Sequence, residues 1–199
     1  SPQSNETDAS LNPVFWGKFY SAVNTYYKSK GHSDNIYMVG ENLSWAGEVQ
    51  SYYKGLPSLF DFSFWWDLRD ALNSGTGINL PGTLAEHIGW YGSYRSDAID
   101  ALKLSNHDED RTASVLGNYK PKIATAACVL LTSPGKPFIY QGEELGYWGV
   151  KGSGDEYIRT PIMWKADGKG MAVKGINSKF DKSMLTSEIS VETQYAEDN

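Results

Sequence analysis

The chain has one cysteine in 199 residues, Cys128, so no disulfide can form within it. That cysteine sits in the run Ile-Ala-Thr-Ala-Ala-Cys-Val-Leu-Leu, which reads as a helix with a small thiol packed inside. Basic residues are also short. Eighteen Lys and Arg face 24 Asp and Glu, a net charge of −6, which excludes the basic footprint of a nucleic-acid binder. No apolar run approaches the roughly 20 residues of a membrane-spanning helix. No signal peptide leads the chain, and its first residues read as the middle of a longer text. Internal repeats and low-complexity tracts are absent as well.

Aromatic residues, by contrast, are abundant: 14% of the chain, with seven Trp and thirteen Tyr. Such an excess fills a core, and it also supplies flat faces on which sugar rings stack. Sequons occur at Asn5 and Asn42. A glycan at Asn42 would crowd the neighbouring Glu41, which favours a source that does not glycosylate.

Asn12-Pro13 opens a helix over about 13–30, with Phe15, Phe19, Ala22, Val23 and Tyr26 at helical spacing and Gly31 ending it. Ile36 to Val39 is an unbroken apolar run and reads as a strand buried on both faces. It stops at Gly40-Glu41-Asn42. Further strands are predicted over 58–63, 100–105 and 137–141, with helices from Trp65, Pro81 and Pro121 between them. Strands alternating with helices predict parallel βα units. Residues from about 146 to 187 form a long loop rich in Gly, Lys and Asp, anchored at Ile158, Pro161, Met163 and Trp164. The last dozen residues begin another helix.

Three of the four strands end in polar clusters: Glu41-Asn42, Asn106-His107-Asp108 and Glu143-Glu144. In an α/β barrel the C-terminal strand ends form the chemical face. Carboxylates gathered there have the composition that glycoside hydrolysis needs: one to protonate the leaving oxygen, others to stabilise positive charge on the sugar.

These stretches resemble the α-amylase family, glycoside hydrolase family 13. Tyr37-Met38-Val39-Gly40-Glu41 is similar to that family's fifth strand, and Ser105-Asn106-His107-Asp108 with Arg111 to its seventh. Gly135-Lys136-Pro137-Phe138-Ile139-Tyr140-Gln141-Gly142-Glu143-Glu144 is similar to its eighth-strand motif. The resemblance implies the C-terminal half, about strands 5–8, of a TIM (β/α)8 barrel, with residues 1–199 forming part of one catalytic domain. It implies Glu41 as general acid/base and Asp108 as the carboxylate that holds the sugar hydroxyls in a distorted ring. His107, Trp45 and Arg111 would contact substrate, Arg111 with the alternative of bracing its loop and Trp45 with the alternative of packing. Glu143 and Glu144 would brace the base of the site, while Asp61, Tyr140 and the Trp65-Trp66 pair would pack the barrel.

The implied substrate is an α-1,4-glucan, cleaved with retention. The implied partner is the remaining half of the catalytic domain, and the implied location is extracellular or on a bacterial outer-membrane surface, as in starch-utilisation amylases of gut bacteria. Calcium is common in the family, with ligands expected outside this chain.

The family's nucleophile, an Asp ending the fourth strand in a Gly-Phe-Arg-x-Asp-Ala pattern, has no match. Asp8-Ala9 follows Asn5-Glu6-Thr7, with no strand and no arginine. The segment alone is therefore predicted inactive. Two rivals stand beside the hydrolase: a non-catalytic glucan-binding module, and an amino-acid transporter subunit sharing the barrel. The second is disfavoured because Glu41 and Asp108 are both present.

Overall fold

A computed structural model describes residues 11–167 and 187–197. Four strands form one sheet in sequence order: β1 (Val39–Gly40), β2 (Ser58–Asp61), β3 (Ile99–Lys103) and β4 (Lys136–Phe138). β1 pairs with β2, and β2 with β3, both in parallel. The helices between them are α1 (Leu11–Ser29), α2 (Ala46–Val49), α3 (Phe62–Ser74), α4 (Leu80–Tyr94), α5 (Thr112–Val115) and α6 (Lys120–Thr132). α7 (Asp155–Ile158) and α8 (Val191–Glu197) follow β4. The alternation and the parallel pairing are those predicted. Among the described residues no helix is long and apolar enough to cross a membrane.

Local chemistry sets the element ends. β2 stops at Asp61, two residues before the predicted end, because the Asp61 carboxylate accepts the Phe64 amide at 3.0 Å and caps α3. β1 is shorter than its apolar run because the Ile36 amide bonds the Asn24 side chain at 2.8 Å instead of a neighbouring strand. Asn79 caps α4 by accepting from the Gly82 amide, and Pro81 fills the first turn, where no donor is needed.

The chain divides into two compact units. The first comprises Ser1–Asp67, Gly77–Leu102 and Ser133–Pro137. Its core gathers Val49, Tyr53, Leu56, Leu59 and Tyr91, with Trp16 and Trp90 packed at the margin. Tyr53 and Tyr91 stack with ring centres 4.2 Å apart. Such a pair adds about 0.5–1.5 kcal/mol beyond its burial. α1 does not bury the face its periodicity predicts: Phe15, Phe19 and Tyr26 are exposed. It seats by Pro13, Gly17 and Tyr20, because Gly17 and Gly55 let the helix backbone lie directly on the turn after α2.

The second unit comprises Leu68–Thr76, Lys103–Thr132 and Phe138–Asn199. Its cluster is Leu145, Tyr147 and Met163, flanked by Trp148, Ile162, Ile189 and Val191. Of the predicted loop anchors, Ile158 and Met163 are fully buried, but Trp164 is exposed. Cys128 is exposed too, contrary to its predicted packing. α6 buries Ala126 and Leu130, and Cys128, two residues from each, falls on the opposite side. Residues 168–186 of the predicted loop, and Asp8, lie outside the described residues.

Candidate active site

In the first unit, Glu41 directly follows β1 and is exposed. Trp45, 54% exposed, stands one residue before α2, and its ring meets Trp66 edge-on with centres 4.7 Å apart. The start of α2 is tied down by the Ala46 amide donating to the Ser63 hydroxyl at 2.8 Å. Trp45 therefore projects from an anchored turn with a free face.

In the second unit, His107 and Asp108 follow β3. Asn106 shapes their turn by accepting the Asp108 amide at 2.8 Å. The Asp108 carboxylate meets three cationic or titratable partners. Arg159 Nη2 donates to Oδ1 at 2.8 Å, Lys151 Nζ lies 3.3 Å from the same oxygen, and His107 Nε2 is 3.1 Å from Oδ2. Arg159 also donates to the His107 carbonyl at 3.0 Å, so it holds both the residue and its turn. Asp155 bonds Lys151 and Arg159 in turn, completing a ladder from the residues before α7 to the one after it. Lost hydration tends to raise the Asp108 pKa. The hydrogen bonds from Lys151 and Arg159 and the charge of His107 outweigh it and hold the carboxyl below its ordinary value.

Arg111 is 1% exposed. Its Nη1 donates to the Gln141 carbonyl at 2.8 Å, and its guanidinium lies over Tyr140 at 4.5 Å and Tyr147 at 5.4 Å. Its Nε and Nη2 are buried and have no hydrogen-bond partner among the described residues. Glu143 is held beneath the turn. Ser105 donates to its Oε1 at 2.8 Å, Thr112 donates to the same oxygen, and the Tyr140 amide reaches Oε2 at 3.3 Å. Burial raises its pKa against those bonds. Lys151, Asp155 and Arg159 were not singled out in the sequence. Their spacing of four residues, basic–acidic–basic, was the available signal.

Among the described residues the three-ligand group that is close enough to hold a metal ion, Asp61, His87 and Asp100, contains an imidazole and is buried. A cavity of about 980 Å³ runs along α1, lined by Pro13, Gly17, Ser21 and Lys54, and none of the candidate site residues lines it.

The Alpha-amylase family, described as alpha amylase, catalytic domain, matches residues 2–198. The chain belongs to the α-amylase family. It is 54% identical over 153 residues to Alpha-amylase SusG of Bacteroides thetaiotaomicron, covering 77% of this chain and 22% of that protein. Alpha-amylase 3 of Dictyoglomus thermophilum is 36% identical over 162 residues, covering 81% and 31%. Among solved structures, the α-amylase from H. orenii superposes with a TM-score of 0.75 at 27% identity, covering 96% of this chain and 37% of that one. Amy13B of Eubacterium rectale gives 0.70 at 30% identity, covering 85% and 34%. The chain thus spans about a fifth to a third of the length of these curated relatives. The expected family is the one found: a glycoside hydrolase family with a TIM-barrel fold.

Proposed function

We propose that this α-amylase-family chain supplies the C-terminal half, strands 5–8, of the barrel of a retaining hydrolase acting on α-1,4-glucans. The observation that carries the reading is the state of Asp108. It is exposed in the turn that follows a parallel strand and kept ionised by Arg159 and Lys151 beside the imidazole of His107. An ionised carboxylate there can attract the positive charge that develops on a glucosyl ring and accept hydrogen bonds from its hydroxyls.

In the proposed reaction a carboxylate from the remaining half of the catalytic domain attacks the anomeric carbon as its bond to the leaving oxygen breaks. Glu41 gives that oxygen its proton. Glu41, now ionised, takes a proton from water as the water oxygen attacks the same carbon and frees the nucleophile. Trp45 offers its free face to the leaving-group sugar, and His107 a hydrogen bond to the ring held by Asp108. Arg111 supports the loop from beneath.

The second reading, a glucan-binding module, draws on the exposed Trp45 and on the lack of a match to the full Gly-Phe-Arg-x-Asp-Ala pattern, since Arg95-Ser96-Asp97-Ala98 follows Gly-Ser-Tyr and precedes β3 rather than ending a strand. Reducing-sugar release from starch by the full-length protein separates the two. Release supports the hydrolase, and retention of starch without release supports the module. An extracellular or outer-membrane position belongs to the same proposal and rests on the relatives alone.

A further inference from the structure

A second polar cluster lies within the first unit, built by three elements far apart in sequence. β2 and β3 are paired so that Leu59 stands opposite Asp100 and Asp61 opposite Leu102. Side chains alternate along a strand, so Leu59, Asp61, Asp100 and Leu102 share one face of the sheet. That face meets α4. Leu59 packs in the same cluster as Tyr91, and Asp61 Oδ2 lies 2.7 Å from His87 Nδ1.

Asp61, His87 and Asp100 are 2%, 4% and 4% exposed. Each can place one ligand atom within 4.8 Å of the other two. Asp61 and His87 are satisfied by each other and by the Phe64 amide. Asp100 is not. Among the described residues neither of its oxygens has a hydrogen-bond partner, although both are buried. A carboxylate in that condition is costly unless something cationic reaches it.

No lysine or arginine is among the groups that act on it. Burial comes first, then the charge of Asp61 and a carboxyl–carboxyl contact with it, and all push the Asp100 carboxyl well above the usual range, with the Ala101 amide opposing them. The closest phenols are no help as cations. Burial first, and then the charge of the two acids, raises the pKa of Tyr53 and of Tyr91, so both stay neutral.

There is also a way in. A cavity of about 350 Å³ includes Asp100 in its lining, together with Ile88, Gly135 and Lys136. Ile88 and Lys136 are exposed, so the cavity opens to solvent.

From this geometry we infer that Asp61, His87 and Asp100 form a divalent-metal site, with water from the adjoining cavity as a further ligand. Two carboxylates and one imidazole suit a borderline ion such as Zn²⁺ better than Ca²⁺ or Mg²⁺, which take oxygen ligands. Three protein ligands and a water make a four-coordinate centre. Ligands on one tetrahedral ion with bonds near 2.0 Å stand about 3.3 Å apart. The Asp61–His87 contact therefore opens by about half an ångström when the ion enters. The ion neutralises the two facing acids and ties β2, β3 and α4 together.

The test uses the full-length protein, stripped with a chelator and re-equilibrated with Zn²⁺. The expected result is that the wild type holds one equivalent more than Asp100→Asn and than His87→Gln, with circular dichroism verifying that both variants fold. Co²⁺ should likewise give visible absorption bands that Asp100→Asn loses. Should both variants fail to fold, anomalous diffraction at the zinc edge from wild-type crystals soaked in Zn²⁺ decides. A peak among the three side chains supports the site. An equal metal content in wild type and variants, or no anomalous peak there, overturns it and leaves a shared proton between the two acids.

Discussion

Arg159 Nη2 lies 2.8 Å from Asp108 Oδ1, and the same side chain donates through Nε to the carbonyl of His107. One guanidinium thus fixes both the carboxylate and the backbone of the turn that carries it. A lysine could not reproduce this two-directional grip, because its ammonium lacks the planar fork.

The pH behaviour of Asp108 follows. Its folded pKa is depressed, so its ion pairs contribute at neutral pH and are lost as pH falls through the carboxylate range. Replacing Arg159 or Lys151 by Gln removes a partner, and the Asp108 pKa should rise toward its ordinary value. Carbon-13 titration of the Asp108 carboxyl should show that rise, and the acid limb of any glucan hydrolysis should move to higher pH. An unmoved titration in Arg159→Gln would mean that the contact does not persist in solution.

Glu143 makes the opposite case. It is buried among Ser105, Thr112 and the Tyr140 amide, and its folded pKa is raised. A raised carboxyl pKa means that its protonated form is favoured on folding. Stability from this group is therefore greatest below the ordinary glutamate value and declines as pH rises through the raised one. Glu143→Ala leaves two hydroxyls and an amide without their acceptor, at a cost of about 2–3 kcal/mol. Chemical denaturation near neutral pH should show a lowered midpoint, whereas an unchanged midpoint would remove Glu143 from the support of the turn.

Gly55 is where the first unit tolerates no side chain. A Cβ there would stand 2.3 Å from the Pro13 carbonyl oxygen and 2.9 Å from the Gly17 amide, so α1 would have to shift. Gly55→Ala should destabilise the protein by about 1–3 kcal/mol. A thermal midpoint equal to that of the wild type would contradict the seating of α1 by its Pro13–Gly17 face.

How much of this was legible depended on how locally each feature is encoded. The α4 start was readable because Asn79 and Pro81 act on their own helix. The end of β2 was missed because the aromatic run from Phe60 to Trp66 hides a capping aspartate, and Asp61 outweighs the β propensity of Phe62. Periodicity found the length of α1 but not its buried face, since a helix with aromatics on two sides needs the Gly17–Gly55 contact to choose between them. Glu41, His107 and Asp108 stood out as polar strand ends. Lys151 and Arg159 fall in a segment whose Gly, Lys and Asp content predicts loop, although their spacing from Asp155 carries the signal. The Asp61–His87–Asp100 cluster could not be read at all, because strand register and helix packing assemble it.

The most direct test of the proposed chemistry is turnover by Glu41→Gln in the full-length protein, measured on starch and on a glucoside with an activated leaving group. Starch needs a proton on its departing oxygen, so its hydrolysis should fall by about 10²–10⁴-fold while binding is retained. The activated substrate needs little acid assistance, so it should still form the glycosyl-enzyme, with water attack slowed. Asp108→Asn should slow both substrates, since charge must be stabilised whichever group departs. A Glu41→Gln protein that degrades starch at the wild-type rate would contradict the role assigned to Glu41.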